Sequence, residues 1–272
     1  MDIDQYDIHN LKQAVGRGGI GDLRFACDFV DRIVHATEKN DGVEELREGY
    51  TAFRARNEYH EKIDPEDQTY FHNALRGDEV GAPPANVSGL GRFNSPHHPV
   101  LYLATRPEVA LAEIRALPSD TCTVATFQTT RPIRLGKLLD VDKNPIAVYL
   151  NPKPAIEDYE NYLLAGTAVF VSRRVSDQDR DVHYRTCNLI GSAFKDRGID
   201  ALAYRTSFWS SGWRDDQNTV DTNLVLSSNI VLFNPQDAKP VRTDLFCLNW
   251  KLPIAESLGG SGSWVDKATE EA

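Results

Sequence analysis

An arginine, a tyrosine and a glutamate in the middle of the chain could together bind a phosphorylated ligand that contains a flat ring. Arg92 lies in the segment Gly89-Leu-Gly-Arg-Phe-Asn-Ser-Pro96, Tyr102 lies in the apolar segment that follows, and Glu113 comes shortly afterwards. Glycines let the backbone approach a phosphate closely, and arginine offers a planar fork of donors to its oxygens. The ring of Tyr102 could present its face to a heterocycle.

Glu113 is surrounded in sequence by apolar residues, namely Ala110, Leu111, Ala112 and Ile114. A carboxylate on or beside an apolar helix face is costly unless it is paired or used in chemistry. One interpretation is therefore a catalytic carboxylate. A surface glutamate paired with an arginine such as Arg115 or Arg92 agrees equally well with the spacing, so both interpretations stay open at this point.

The hydrophobic pattern predicts the elements that must position these side chains. Strands are predicted at 50–56, 100–104, 121–127, 134–141, 199–204 and 223–233, and helices at 23–38, 107–117, 159–171 and 184–197. Pro107 suits the first turn of a helix, and Gly198 suits a helix end. Because strands and helices are mixed without regular alternation, an α+β fold is favoured over a doubly wound sheet.

Three regions are predicted along the chain. Residues 1–47 form an N-terminal helical extension, with an amphipathic helix that ends near Asn40-Asp41-Gly42. Residues 48–250 form the main domain. Residues 251–272 are Gly/Ser-rich and then charged, which is typical of a flexible C-terminal tail.

Composition disfavours several classes of function. The 272 residues include 30 Lys and Arg against 40 Asp and Glu, a formal net charge of -10. With no run of five basic residues, direct binding of nucleic acid is disfavoured, whereas an acidic surface suits a basic protein partner or solubility alone. The four cysteines are scattered, the first residues do not resemble a signal peptide, and no apolar stretch approaches the roughly 20 residues of a membrane span. We therefore expect a cytoplasmic protein that does not contact a membrane.

Two further motifs have ordinary interpretations. Gly16-Arg-Gly-Gly-Ile-Gly21 matches the spacing of a dinucleotide-binding loop, but no apolar strand precedes it, so a turn between helices is favoured. His97 and His98 are adjacent on a loop, and no further ligand completes a metal site around them in the sequence. We therefore expect no metal.

Taken in order, the chemically suggestive segments resemble the RES family, which is named for recurrent Arg, Glu and Ser residues. The matching segments are Phe53-Arg54, Gly91-Arg-Phe-Asn94, Val100-Leu-Tyr102-Leu-Ala104, Ala110-Leu-Ala-Glu113 and Gly198-Ile-Asp-Ala-Leu-Ala-Tyr204-Arg-Thr-Ser207. The resemblance covers roughly residues 48–235. Leu90 departs from the usual first glycine of the turn, and the Trp-rich insertion at 208–221 is long.

The resemblance implies a fold like that of the ADP-ribosyltransferases, with a mixed or antiparallel sheet. It implies a toxin that depletes NAD+ by breaking the bond between nicotinamide and ribose, as a glycohydrolase or as an NAD+ phosphorylase that uses inorganic phosphate. It also implies a partner antitoxin with a helix-turn-helix domain. Two alternatives stay open: an ADP-ribosyltransferase that acts on a protein or nucleotide acceptor, and an interaction module whose site has decayed.

The resemblance also suggests roles for individual residues. Glu113 would stabilise positive charge on the ribose, Arg54 and Arg92 would bind the diphosphate, and Tyr102 would position the nicotinamide end. Ser207 would orient the nicotinamide or ribose, and Asn223 would add a polar contact. NAD+ is then the substrate, and no cofactor beyond it is expected. The tryptophans of the 208–221 insertion are either a lid over the site or structural.

Overall fold

The computed structural model describes residues 7–66, 68–117, 119–138, 159–207 and 228–248, together with a strand at 255–257. Within these ranges the α-helices are α1 (Ile8–Arg17), α2 (Ile20–Lys39), α3 (Pro107–Glu113), α4 (Tyr159–Ser172) and α5 (Asp177–Asp196). Short 3-10 helices occur at Gly77–Val80 and Pro235–Asp237.

The strands follow the chain as β1 (Val43–Leu46), β2 (Thr51–Arg56), β3 (His60–Ile63), β4 (Tyr70–Asn73), β5 (Leu101–Ala104), β6 (Thr121–Thr129), β7 (Ile133–Leu138), β8 (Ala201–Arg205), β9 (Ser228–Leu232), β10 (Ala238–Leu248) and β11 (Ala255–Ser257). Nine of them form one sheet in the order β1-β7-β8-β9-β5-β2-β6-β10-β11, and β3 pairs with β4 in a separate hairpin. The pair β7–β8 is parallel and the other pairs of the large sheet are antiparallel. The predicted α+β class with a mixed sheet is confirmed.

Helices cover one face of the sheet and form the largest core cluster. Leu11 of α1, Phe29 and Ile33 of α2, Phe170 of α4 and Phe194 of α5 are buried together there. Because these side chains recur at three- and four-residue spacing on α2 and α5, each helix turns an apolar stripe toward the sheet. A second cluster occupies the opposite face, and a third lies beneath α3.

The N-terminal region is built into this core. A turn at Gly18 and Gly19 separates α1 from α2, in agreement with the predicted inter-helix turn, and Gly18 has a left-handed φ of 69°. Helix α2 ends at Lys39 with Asn40 as its C-cap, as predicted. Residues 43–46, predicted to belong to the helical extension, instead form edge strand β1, which pairs with β7.

Several element bounds differ from the predictions. Helix α3 ends at Glu113 rather than 117, because Arg115 has a left-handed φ of 56°. Helix α5 begins at Asp177 rather than 184, with Ser176 as its N-cap. Strands β3, β4 and β10 were not predicted, and β11 lies within the predicted flexible tail.

Strands β2 and β5 are neighbours over a single residue pair, Phe53 and Ala104. On its other edge β2 pairs with β6 along its whole length. The two halves of the large sheet therefore part beyond Phe53, and a pocket opens beside this seam. No helix in the described ranges has the length and apolar character needed to span a membrane.

Candidate functional site

The pocket beside the seam has a volume of about 570 Å³. Its lining comes from β2, the loop before β5, β5 itself, α3, α5, β8 and β9. Four of the residues singled out from the sequence line it together, namely Arg54, Arg92, Tyr102 and Glu113. Because these side chains come from separate segments, their convergence depends on the tertiary fold.

Glu113 is the last residue of α3, and its carboxylate is held by two donors. Thr206 Oγ1 donates to Glu113 Oε1 at 2.6 Å, and Asn229 Nδ2 donates to the same oxygen at 2.7 Å. Thr206 and Asn229 are each only 5% exposed. The carboxylate is therefore partnered by neutral groups and by neither Arg92 nor Arg115, which argues against the surface ion pair considered from the sequence.

Arg54 and Arg56 form a pair of cations on β2. They lie two residues apart, so both side chains leave the same face of the strand. Arg54 Nη1 donates to the carbonyl of Tyr102 at 3.1 Å, across the seam, and Arg56 Nη2 donates to the carbonyl of Gly81 at 2.9 Å. The Nε atoms of both arginines are buried without a partner, and neither forms an ion pair within the described part of the chain.

The charge of Arg54 is affected by this environment. Burial, and then the neighbouring charge of Arg56, lower the pKa of Arg54 to about 10. The guanidinium still carries its proton at neutral pH. Two cations that lack a carboxylate partner in a pocket are suited to an anionic ligand such as a phosphate.

Tyr102 is tied to the turn that carries Arg92. Its hydroxyl accepts from the amide of Phe93 at 2.7 Å and donates to Asn94 Oδ1 at 3.0 Å. A Cβ on Gly91 would lie 3.1 Å from the Tyr102 hydroxyl and would collide with Asn94 Oδ1, so a side chain here would have to displace Asn94 from this hydrogen-bond network. Burial raises the pKa of Tyr102, which keeps the phenol protonated.

Arg92 lines the pocket but is already engaged with the protein. Its Nη1 donates to the carbonyls of Val171 and Arg173, and Nη2 donates to Arg173 at 3.4 Å. These carbonyls lie at the C-terminal end of α4, where a cation is favoured by unpaired carbonyls and by the helix dipole. The guanidinium is also 5.9 Å from the ring centroids of Tyr184 and Tyr204. Arg92 therefore connects the pocket wall to the helical layer.

The remaining predicted residues have different positions. Ser207 follows β8 and is partly buried, but it does not line the pocket. Asn223 and the Trp-rich insertion at 208–221 lie outside the described residues. His97 and His98 lie on a loop away from this pocket, and no three potential metal-ligating side chains cluster in the ranges described.

Three residues near the pocket were not identified from the sequence, namely Arg56, Thr206 and Asn229. A signal existed for Thr206, because it offers a second hydroxyl directly beside Ser207 in the matching segment. In the structure it is Thr206, and not Ser207, that contacts Glu113. No sequence signal marked Asn229, which follows Ser227 and Ser228 immediately before the apolar run Ile230-Val-Leu232.

Comparison with known proteins identifies the family. The family model of the RES domain matches residues 61–251, more than half of the chain, so this protein belongs to the RES domain family. The resemblance inferred from the ordered motifs is thereby confirmed. No curated protein matches the chain significantly.

Among solved structures, the chain is similar to one from the M. tuberculosis MbcT-MbcA toxin-antitoxin complex. The two share 14% sequence identity, and the match covers 79% of this chain and 92% of the other, with a TM-score of 0.40.

Proposed function

We propose that this RES-family protein is a toxin that consumes NAD+ by cleaving the bond between nicotinamide and ribose. The observation that carries the proposal is the joint presence, in one pocket, of the held carboxylate of Glu113 and the arginines Arg54 and Arg56. A dinucleotide needs both features, since it offers a diphosphate to cations and a ribose to a carboxylate. The pocket volume lies within the range of small-molecule and cofactor sites.

In this reaction the bond from ribose C1′ to the nicotinamide nitrogen breaks, and its electron pair leaves with nicotinamide as a neutral pyridine. Positive charge develops on the ribose, and Glu113 stabilises it electrostatically or by holding the 2′-hydroxyl. A water that then bonds to C1′ and loses a proton gives ADP-ribose. If an oxygen of inorganic phosphate bonds to the same carbon instead, the product is ADP-ribose phosphorylated at that carbon.

The other residues bind and orient the substrate. Arg54 and Arg56 donate to the diphosphate. Tyr102 holds the turn at residues 91–94, and this turn positions the nicotinamide end of the substrate. Arg92 ties this turn to the C-terminal end of α4 and also lines the pocket. NAD+ is the substrate in this proposal, no other cofactor takes part, and inorganic phosphate enters only in phosphorolysis.

An antitoxin is the proposed protein partner. The solved structure named above is that of a toxin-antitoxin complex, and the net charge of -10 of this chain suits a partner with a basic surface. We propose that DNA binding, where it occurs, belongs to that partner.

The test is incubation of the purified protein with NAD+, with and without inorganic phosphate, while nicotinamide and the sugar product are separated and quantified. Free ADP-ribose without phosphate identifies a glycohydrolase, and a phosphorylated product that requires phosphate identifies a phosphorylase. Absence of nicotinamide release from the folded, partner-free protein would contradict the proposal. ADP-ribose attached to a protein or nucleotide, without stoichiometric free product, would identify a transferase.

Glu113→Ala is the first variant to test. Loss of one electrostatic contact to the transition state commonly lowers the rate by ~100- to 1,000-fold, so we expect kcat to fall by that factor. Thermal unfolding should show that the variant is folded. A folded Glu113→Ala protein with wild-type turnover would rule out this carboxylate as the catalytic group.

A further inference from the structure

We infer that Asn229 is a positioning residue for Glu113. Together with Thr206 it holds Oε1, so that Oε2 is the oxygen presented to the ribose. This inference rests on the proposed function, because it assigns Asn229 a role in orienting the carboxylate that the reaction uses.

The geometry around Oε1 is the basis of the inference. Asn229 Nδ2 lies 2.7 Å and Thr206 Oγ1 lies 2.6 Å from this one oxygen. A carboxylate has about four acceptor positions, two on each oxygen. The two donors therefore occupy the acceptor positions of Oε1. In the ranges that the structure describes, no side chain donates to Oε2.

The backbone that carries Asn229 is held rigidly. Asn229 lies in β9 and is paired with Ala104 of β5 on one side and with Tyr204 of β8 on the other. A side chain on a central strand has little freedom to shift. Asn229 can therefore fix the direction of the carboxylate, whereas Glu113 itself is the last residue of a helix of seven residues.

No other charged group of the described pocket takes this role. Arg54 and Arg56 reach the pocket from β2, Glu58 reaches it from the segment that follows β2, and Arg92 reaches it from the loop before β5. Three tyrosines, Tyr102, Tyr184 and Tyr204, line it as well. The hydrogen bonds of Arg54, Arg56 and Arg92 go to backbone carbonyls, and the Tyr102 hydroxyl binds the 93–94 turn. Control of the carboxylate therefore falls to Asn229 and Thr206.

The decisive variant is Asn229→Asp, which keeps the shape of the side chain but replaces the donor with a second carboxylate. Two adjacent carboxylates repel each other and favour a shared proton. We expect kcat for nicotinamide release to fall by ~100-fold, the effect of a misplacement of about 1 Å, while the KM for NAD+ stays within about twofold. We also expect the acid limb of the kcat profile to move to higher pH by about one unit.

Matched variants show whether the effect of Asn229→Asp arises from the position of the Glu113 carboxylate or from the added charge alone. Thr206→Ser keeps the hydroxyl and should retain most turnover, whereas Thr206→Val removes the hydroxyl at similar volume and should lower kcat. Asn57→Asp introduces the same charge at another residue of the pocket wall, where the amide donates to the carbonyl of Ile114. It should move the acid limb far less than Asn229→Asp. Thermal unfolding must show that every variant compared is folded.

The outcomes also separate the two proposals. Absence of nicotinamide release from the wild-type protein overturns the proposed function and this inference with it. An active wild type whose Asn229→Asp variant keeps the same kcat and the same pH profile overturns the positioning role alone. A kcat loss accompanied by an equal rise in KM, with no change in the pH profile, also overturns it, because that pattern indicates a binding residue.

Discussion

At the scale of single residues, the arginines of the pocket differ in how much of their bonding capacity the protein already uses. Arg92 donates to two backbone carbonyls at the end of α4. Arg54 and Arg56 each donate one hydrogen bond to the backbone and keep a buried Nε without a partner. We therefore expect the diphosphate to be bound chiefly by Arg54 and Arg56.

We therefore expect substitution of Arg56 to affect the KM for NAD+ and substitution of Arg92 to affect the free energy of unfolding. Arg56→Gln should raise the KM for NAD+ by ~10- to 100-fold, since a hydrogen bond to a charged group contributes about 1.5–3 kcal/mol. It should leave the free energy of unfolding nearly unchanged. Arg92→Ala should lower the free energy of unfolding by about 1–3 kcal/mol, because it leaves helix-end carbonyls without their donor.

Steady-state kinetics and urea denaturation check these arginine variants together. Arg17→Gln is the control, because Arg17 is exposed and pairs with Asp22 at the start of α2, away from the pocket. A wild-type KM in Arg56→Gln, or an unfolding free energy of Arg92→Ala equal to that of the wild type, would show that the assignment is wrong.

At the scale of elements, α4 and α5 enclose a histidine that cannot easily take up a proton. His183 on α5 is fully buried, and its ring centroid lies 4.3 Å from that of Phe170 on α4. Burial, and then the charges of Arg92 and Arg173, lower the pKa of His183 to about 3. Lys12 acts in the same direction and Asp179 opposes it.

Because the pKa of His183 is lowered in the folded protein, we expect the free energy of unfolding to decrease in acid. The unfolded chain takes up a proton at His183 near pH 6.5, whereas the folded protein does so only near pH 3. Stability from this residue is therefore complete above pH 6.5 and declines as the pH falls toward 3. His183→Gln should reduce the slope of unfolding free energy against pH between about 6.5 and 4.5. Urea titrations across that range measure it.

His35→Gln is the matched control, since His35 is exposed on α2. It should keep the wild-type slope. An unchanged slope in His183→Gln would mean that other groups account for the acid sensitivity.

The elements that were predicted correctly are those with a regular apolar pattern. Strands β2, β5, β6 and β8 and helix α4 carry such patterns and agree with prediction within a few residues. Strand β10 was missed because Pro240 interrupts it, and the register shifts there at a bulge between Pro240 and Arg242. The first turns of α5 were missed because they are charged and largely exposed, so no apolar periodicity marks them.

Some residues of the site could be predicted from motifs in the sequence, whereas others are brought to the site only by the fold. The ordered motifs located Arg54, Arg92, Tyr102 and Glu113, and the fold brings all four to one pocket. Asn229 joins them only because β9 lies between β8 and β5 in the sheet. That adjacency depends on strand order, which the sequence pattern of β9 alone does not indicate.

At the scale of the whole molecule, the N-terminal helices contribute to the core of the RES-domain fold although they precede the segment matched by the family model. Ile8, Leu11, Phe29 and Ile33 are at most 1% exposed. The boundary predicted at residue 47 therefore separates two parts of the sequence that share one hydrophobic cluster in the fold.

Deletion of residues 1–47 should prevent stable folding. The fragment 48–272 would expose the apolar faces of α4 and α5 and would lose edge strand β1 from β7. A chain that begins at Asp7 should unfold cooperatively with wild-type stability. Near-UV circular dichroism and urea denaturation distinguish the two, and a cooperative transition in fragment 48–272 would contradict this prediction.

The seam between β2 and β5 determines which part of this chain can change without disturbing the large sheet. The connection from β2 to β5 contains the β3–β4 hairpin and the turn of Arg92, and the strands that it joins share one residue pair. The hairpin strands β3 and β4 are largely exposed, so insertions or replacements there should leave the large sheet and its pairing intact. Asn57 and Glu58 lead into this hairpin and line the pocket, so such changes act on this wall while Glu113 and its supports Thr206 and Asn229 keep their places.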